Sequence, residues 1–462
     1  MANISFIDRE TELKLVEEKE KENFFLVFKG RRRIGKTTFL KKCFPQAAYI
    51  FIWPNKSLSW IMEKTCAEHS LPSFRNFTDL LNYLLDQRKI IVLDEFQNFL
   101  SIDKSVYGEI QKLVDERKKE KFMKIAVAGS SYSLMNKVFN SAASPLYGRR
   151  TGEITLSHLP PQDLFAELNS GIEDFIKLWG VFEGVPYYYE HLDGTAAEKN
   201  IQRLLLSKNA LLQDEGRAVL SVEFGQDSRT YGTVLMAIAE GKTKLNEIAG
   251  LFGNRATETI KYLSILRKEF RLIRRLTPLL ADPVKSKEGR YEIIDNFLDF
   301  WFFFLDKRRD YIEQERFPEM EKYFRDNFSL YMGKKFEKFV FELISRGIIG
   351  PGFPAEKFGR QWGAVPNAPQ NKNQYVIDIL ALNGVEKKAL FCECKWSDNV
   401  SAEKIARELI EKAQHVAWNN EKRKESLMLF AKSFSRKINE FEGKEVRCLD
   451  LNDIEKMLKK PK

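Results

Sequence analysis

Eight residues near the start of the chain restrict its fold more than any others: Gly30-Arg31-Arg32-Arg33-Ile34-Gly35-Lys36-Thr37. They fit G-x-x-x-x-G-K-[ST], come directly after the apolar run FFLVFKG and open the helical stretch TTFLKKCF. Glycines at the two ends let backbone N–H groups close around phosphate oxygens, and the N-terminus of the following helix adds its positive dipole end. Within this cradle, which includes Thr38, Lys36 is placed to reach the β- and γ-phosphates of a nucleotide and the Thr37 hydroxyl to ligate Mg²⁺. Some sixty residues on, Asp94-Glu95 ends the apolar run KIIVLDE. Carboxylates at the C-terminal end of a buried parallel strand lie where open α/β sheets bind ligands. Asp94 is expected to hold Mg²⁺ and Glu95 to polarise the attacking water.

The surrounding pattern agrees with such a sheet. Over residues 1–170, short β-branched or aromatic runs (FFLVFKG, AAYIFIW, KIIVLDE, KIAVAGS, GEITLSHL) alternate with helical stretches, which predicts parallel strands with crossover helices. Residues 171–330 read as mostly helical. Residues 331–462 open with a helix and return to strands at YVIDIL, ALFCECKW and SLMLFA after a loop rich in Pro, Gly and Asn over 348–374. With 462 residues the chain is long enough for about three domains. Its net charge of +10 is concentrated in the last of them, +7 over 331–462, and suggests an anionic partner. Five scattered cysteines fit a reducing compartment, and four histidines with no helical pair argue against a His-based zinc hydrolase. No signal peptide is legible, and the apolar run FLDFWFFFL (297–305) is about half of the ~20 residues a membrane span requires. The expectation is a cytoplasmic protein with no membrane contact.

FIDRETEL (6–13), GRRRIGKTT, VLDEFQNF, AGSS, SPLYGRR and EGVPYYYE (183–190) together resemble the motif series of archaeal-type ATPases, a branch of the STAND/AAA+ P-loop NTPases. The resemblance implies ATP as ligand, an adenine-side role for Arg9 and Glu10, and a lid contact through Pro186. Asp8 stands where that family usually has Gly before the Arg-Glu pair. In the remaining motifs two alternatives stay open at each position. Ser130-Ser131 either senses the γ-phosphate or forms a plain strand-end turn. Arg149 and Arg150 are either arginine fingers or surface arginines.

Residues 229–295 suggest three helices and a β-wing, with Ile260, Leu263 and Leu266 on one helix face. Residues 241–290 carry a net +7, including Arg255, Lys261, Arg267, Lys268, Arg271, Arg274 and Arg275. Such a winged helix either binds nucleic-acid phosphates or serves as an arm that relays nucleotide state.

In the last segment Asp378 lies in YVIDIL, while Glu393 and Lys395 lie two apart in ALFCECKW and so share a strand face. Carboxylates on neighbouring strands can bind Mg²⁺, and a nearby Lys can orient the water that attacks a phosphodiester. Upstream, the helix FEKFVFELI turns Phe336, Phe339, Val340 and Leu343 inward and offers Glu337 as a further metal ligand. Cys392 and Cys394 face the core, against a zinc role. The order YMGKKFEKF…GRQWG…VIDIL…LFCECKW resembles the PD-(D/E)xK nuclease-like domain that commonly follows this ATPase type.

The expected fold is α/β: a P-loop NTPase parallel sheet with helices, a helical and winged-helix middle, then a restriction-endonuclease-like α/β domain. The expected boundaries are 1–170 for the ATPase core, 171–228 for a helical lid, 229–295 for the winged helix, 296–330 for a helical linker and 331–462 for the nuclease-like domain. The expected function is ATP binding and hydrolysis coupled to nucleic-acid binding, with a Mg²⁺-dependent nuclease-like site. The alternative is a nucleotide-dependent switch or scaffold whose last domain binds DNA or protein without cutting. The expected partners are nucleic acid, DNA above all, and a second copy of the chain or a partner protein.

Overall fold

The computed structural model describes residues 7, 9–117, 121–168, 170–224, 228–253, 255–366, 368–369, 373–420 and 422–459. Asp8, the departure from the family pattern noted above, lies outside the described residues.

Five strands form the first sheet: β1 (Phe24–Lys29), β2 (Ala48–Phe51), β3 (Ile91–Asp94), β4 (Lys124–Gly129) and β5 (Gly152–Thr155). Their order is β2-β3-β4-β1-β5, and every pairing is parallel. A parallel sheet covered on both faces needs near-continuous apolar residues along its interior strands. FFLVFK of β1 supplies them and is buried throughout, the Lys29 aliphatic stem included.

The middle of the chain is helical. Ile172–Phe182 is followed by Pro186–Tyr189 and by Ala197–Ile201, which continues into a wider π turn at Gln202–Leu206. Helices Ser228–Ala239, Leu245–Ala249 and Ala256–Lys268 then lead into an antiparallel hairpin, β6 (Ile273–Leu276) with β7 (Arg290–Ile293). This has the shape of a winged helix. Gly241 ends the first of the three helices at φ +97°, a conformation that favours glycine. Leu263 and Leu266 face inward as expected, but Ile260 does not and is 50% exposed.

The C-terminal sheet comprises β8 (Lys357–Ala364), β9 (Gln374–Asn383), β10 (Lys388–Lys395), β12 (Lys424–Ala431), β14 (Glu440–Phe441) and β15 (Lys444–Leu449), in the order β14-β15-β12-β10-β9-β8. Beside it, β11 (Val400–Ser401) and β13 (Phe434–Arg436) make a short parallel pair. Strands β8, β9 and β10 pair antiparallel, whereas β10, β12 and β15 are parallel, with Ala402–Gln414 as the crossover helix between β10 and β12. One sheet face packs Phe391 and Leu429 against Ile405 and Leu409 of that helix. The other packs Cys392, Trp396 and Phe430 against the Phe317–Ser345 helix, where Phe336 meets Trp396.

Two expectations change. The boundary drawn at 330 falls inside the single helix Phe317–Ser345, because Met320, Phe324, Phe328, Tyr331, Phe336, Phe339 and Leu343 continue one buried stripe at helical spacing. Within the segment read as a 348–374 loop, KFGRQWGA forms β8, because pairing with β9 outweighs its two glycines. The apolar run at 297–305 is the core of the helical middle, with Trp301 fully buried. No helix among the described residues is long and apolar enough to cross a membrane.

At Gly184 the backbone after the Ile172–Phe182 helix presses on the exit of β5. A Cβ there would lie 2.1 Å from the Leu159 carbonyl oxygen, and Leu159 donates its N–H to the Gly184 carbonyl at 2.8 Å. Backbone on both sides cannot yield, so Gly184→Ala should destabilise the fold by about 3 kcal/mol. Gly232→Ala, mid-helix in open space, should instead be neutral or add up to about 1 kcal/mol. Urea midpoints at unchanged slope check the pair; equal midpoints would refute the close-approach argument.

Candidate functional site

The phosphate loop has the backbone its motif calls for. Gly35 adopts φ +90° immediately before the helix Lys36–Cys43, and Gly30 is packed so closely that a Cβ would meet the Leu156 carbonyl at 2.9 Å. Lys36 folds back on the loop, donating to the Gly30 and Arg31 carbonyls at 2.9 and 3.0 Å, while Thr37 and Thr38 are exposed at the helix start. The Thr37 hydroxyl donates to Asp94 at 2.7 Å. Tyr49, on the neighbouring strand β2, donates to the same carboxylate oxygen. Burial and the nearby Asp94 charge raise the Tyr49 phenol, so it stays a donor. Glu95, at φ +56°, accepts from the Ser130 hydroxyl at 2.6 Å and from the Gln97 side-chain amide. Sequence reasoning missed Tyr49, since nothing local marks a residue that approaches from a neighbouring strand; Gln97, two residues after Glu95 in the VLDEFQNF motif, was given no role.

The three arginines of the loop turn outward, toward the middle of the chain. Arg31 pairs with Asp295 at 2.5 Å and donates to the Arg271 carbonyl. Arg33 grips Glu215 through two hydrogen bonds of 3.0 and 3.2 Å and lies over the Tyr187 ring. Arg32 approaches Glu215 at 3.9 Å. Ile34 is buried beneath them, and Pro186 starts the short helix that presents Tyr187. Arg9 is buried, bound to the Ser157 carbonyl and Glu12, while Glu10 is exposed at the start of its helix. Arg149 binds Asp115, and Arg150 binds Glu153 and Asn140; none of their hydrogen bonds among the described residues goes to the phosphate loop of the same chain.

Asp295 belongs to a buried cluster. His158 lies 3.2 Å from Glu183 and 3.8 Å from Asp295, and Lys338 donates to Glu183 at 2.9 Å. Burial alone would raise the Glu183 carboxyl, but His158 and Lys338 hold it well below its ordinary range. His158, Glu183 and Asp295 are the only group of three side chains of metal-ligand type within mutual reach among the described residues. Arg31 and Lys338 already supply positive charge to its carboxylates, so the cluster is an ion-pair hub and does not suit a metal.

In the C-terminal sheet, Asp378 accepts the Cys394 N–H at 2.9 Å, and burial together with the neighbouring Glu393 charge pushes its carboxyl up to about 6. Glu393, 4% exposed, is held by Lys395 at 2.7 Å and by Lys412 at 2.8 Å. Burial pulls the Lys395 ammonium down, but Glu393 and Asp378 outweigh that and raise it. Lys412 was not foreseen; it comes from the last turn of the Ala402–Gln414 helix, far from the strand motif in sequence. The structure does not bring Glu337 to this pair. It turns to Arg360 on β8 instead, because that guanidinium is its nearest counter-charge. The wing arginines are also spoken for: Arg274 pairs with Glu292, Arg275 donates to the Pro283 and Ser286 carbonyls, and Arg271 lies over Tyr132.

Two measurements follow from this geometry. Lys36→Ala should weaken ATP binding ~10–100-fold in calorimetry, the size of a lost charge-assisted contact. Glu95→Gln, which keeps the shape but removes the carboxylate, should bind ATP and hydrolyse it ~10²–10⁴-fold more slowly. The raised Asp378 carboxyl also has a pH signature in chelator. A carboxyl raised in the folded state contributes fully below its unfolded value and loses that contribution as pH rises through about 6. Asp378→Asn should therefore gain stability over wild type between about pH 4 and about pH 7 in urea titrations. A constant difference would mean that neither burial nor the Glu393 charge raises the Asp378 carboxyl.

Residues 22–162 match the AAA domain, and residues 301–407 match a family described as archaeal and bacterial proteins of unknown function. The chain is 32% identical over 466 aligned positions to the uncharacterized protein MJECL04 of Methanocaldococcus jannaschii, covering 97% of this chain and all of that one. Among solved structures, it is similar to the Walker-type ATPase of Pyrococcus abyssi (16% identity, 64% of this chain and 96% of that one, TM-score 0.48). It is also similar to the ORC2 protein of Aeropyrum pernix (14% identity, 67% and 94%, TM-score 0.41). Carrying an AAA domain in its N-terminal part and matching MJECL04 from end to end, the chain belongs to the family of that Methanocaldococcus protein.

Proposed function

We propose that this protein binds and hydrolyses ATP at the phosphate loop, and that the nucleotide state governs a nuclease-like site built on Asp378, Glu393 and Lys395. One observation carries the link. A continuous series of charged and polar side-chain contacts leaves the phosphate loop through Arg31 and Asp295, passes His158 and Glu183, and reaches Lys338 on the Phe317–Ser345 helix. The residue beside Lys338, Glu337, pairs with Arg360, whose charge acts on Asp378. A shift of the loop on binding triphosphate has a direct electrostatic route to the second site.

Both ligand sets suit Mg²⁺. Thr37 and Asp94 offer a hydroxyl and a carboxylate 2.7 Å apart beside the phosphate cradle, while Asp378 and Glu393 are two like charges whose mutual repulsion a divalent cation relieves. Bound there, Mg²⁺ supplies charge neutralisation for phosphoryl oxygens. Lys36 compensates the triphosphate, and Glu95, released from Ser130 and Gln97, orients the water that attacks the γ-phosphorus. At the second site Lys395 positions a water. Its oxygen bonds to the phosphodiester phosphorus as the ester P–O bond breaks, and the leaving oxygen takes up a proton.

A second reading has an observation in its favour. Both oxygens of Glu393 are hydrogen-bonded by ammonium groups, Lys412 on both and Lys395 on one, so the site is charge-compensated without metal. On that reading the last domain binds nucleic acid or protein without cutting, and the protein is a nucleotide-dependent switch.

Mn²⁺ titration and plasmid nicking separate the two. Asp378→Ala should lose metal binding and nicking together, while Lys395→Ala should retain metal and lose nicking. Asp295→Asn, which breaks the route at its first joint, should leave nicking intact but insensitive to ATP. Nicking unchanged in both site variants, or absent from every form, would favour the switch.

A further inference from the structure

Between the winged helix and the C-terminal sheet lies a cleft of about 1060 Å³. One wall is the Ala256–Lys268 helix, through Ala256, Ile260 and Arg267. The opposite wall is the turn between β6 and β7, and the floor is Trp362 and Gln374 of β8 and β9. Trp362 fixes these parts together by donating its indole N–H to the Glu288 carbonyl, and Arg290 reaches Gln374.

The lining is strongly one-sided in charge, with six cationic side chains against the single carboxylate of Glu288. Arg275 is used internally, by the Pro283 and Ser286 carbonyls. The other five, Lys244, Arg267, Lys285, Lys287 and Arg290, form no ion pair among the described residues, in a chain where ion pairs are otherwise abundant. Arg290 is the most exposed to this imbalance. Its guanidinium lies over Trp362, and burial together with the nearby Arg360 charge lowers it from its ordinary value. Such a group is stabilised by an arriving anion. Between the cations stand apolar side chains that water faces at present: Ile260, 50% exposed, and Val284, 88% exposed.

We propose that this cleft binds a single strand of nucleic acid, with phosphates on the five unpaired cations and bases against the Ile260 and Val284 walls. Basic and apolar groups interleaved along one groove suit an unpaired strand, whose base faces are free; a duplex presents only phosphates and groove edges. A cleft of this volume takes a ligand of a few linked nucleotides and excludes a double helix. It also has a direction. Four residues beyond Gln374 on the same strand lies Asp378, about 13 Å further along β9. Arg360, on the adjacent strand, acts electrostatically on both Arg290 and Asp378. The strand is thus led toward the carboxylate pair, and only this last step rests on the nuclease-like reading of that pair.

The test uses the full chain in chelator, so that binding is read without cleavage. Fluorescence anisotropy compares a labelled oligo-dT of about 15 nucleotides with a blunt duplex of equal length and with an oligoglutamate competitor. The single strand should bind tighter than the duplex. Lys285→Ala/Lys287→Ala, both on the exposed turn, should weaken binding at least ~10-fold at ~50 mM salt and reduce the log–log salt slope by ~1.4. Arg267→Glu on the opposite wall should weaken it likewise, which guards against a local defect of the turn. Undiminished binding in both variants, a duplex bound as tightly as the single strand, or tighter binding of oligoglutamate would overturn the proposal. Asp378→Ala keeps the two readings apart: it should bind oligo-dT like wild type while losing Mn²⁺-dependent nicking. If the cleft variants weaken binding yet no form nicks any substrate, the strand cleft stands and the nuclease-like reading falls.

Discussion

The ion pair between Arg31 and Asp295 joins a loop near the start of the chain to a helix cap 264 residues later. Both groups are largely withdrawn from solvent, with side-chain exposures of 16% and 9%. A buried charge is tolerated only with its partner in place, so each half of this contact commits the other half of the molecule. Asp295 also accepts the Leu298 N–H, which starts the helix carrying the buried Phe297–Leu305 run. The phosphate loop is therefore fixed to the packing centre of the helical middle, and the two cannot move independently without stranding a charge.

The same logic explains what the loop arginines do. In the sequence, three successive arginines stand between the glycines of the phosphate cradle. In the fold they are counter-ions for Asp295 and Glu215 and a cation over Tyr187. Backbone N–H groups and Lys36 remain for the nucleotide. On the proposed function, that division lets the loop report its occupancy outward through side chains while it binds inward through backbone.

At the far end of the molecule the governing term is repulsion between like charges. Asp378 and Glu393 are held close in a buried site, and the cost shows in the raised Asp378 carboxyl. Lys395 and Lys412 are hydrogen-bonded to Glu393, whereas among the described residues Asp378 accepts only the Cys394 N–H. An uneven pair of this kind is poised to respond to any added cation or to a change at Arg360.

What the sequence determined by itself was local. The G-x-x-x-x-G-K-T spacing fixed the loop and its helix, the apolar run of β1 implied a strand of a parallel sheet, and the alternation in ALFCECKW set which residues share a face with Glu393. Each depends on the periodicity of a few successive residues, which survives any packing around it. The tertiary structure alone decided the rest. It took β8 out of a stretch whose glycines hide its pairing, ran one helix through an expected boundary, and gave Glu337 to Arg360. It also brought Tyr49 to Asp94, Lys412 to Glu393 and His158 to Glu183. The reason is that a charged side chain withdrawn from water takes the nearest opposite charge available. Nearness across a fold is set by how helices and sheets stack, which no spacing along the chain records.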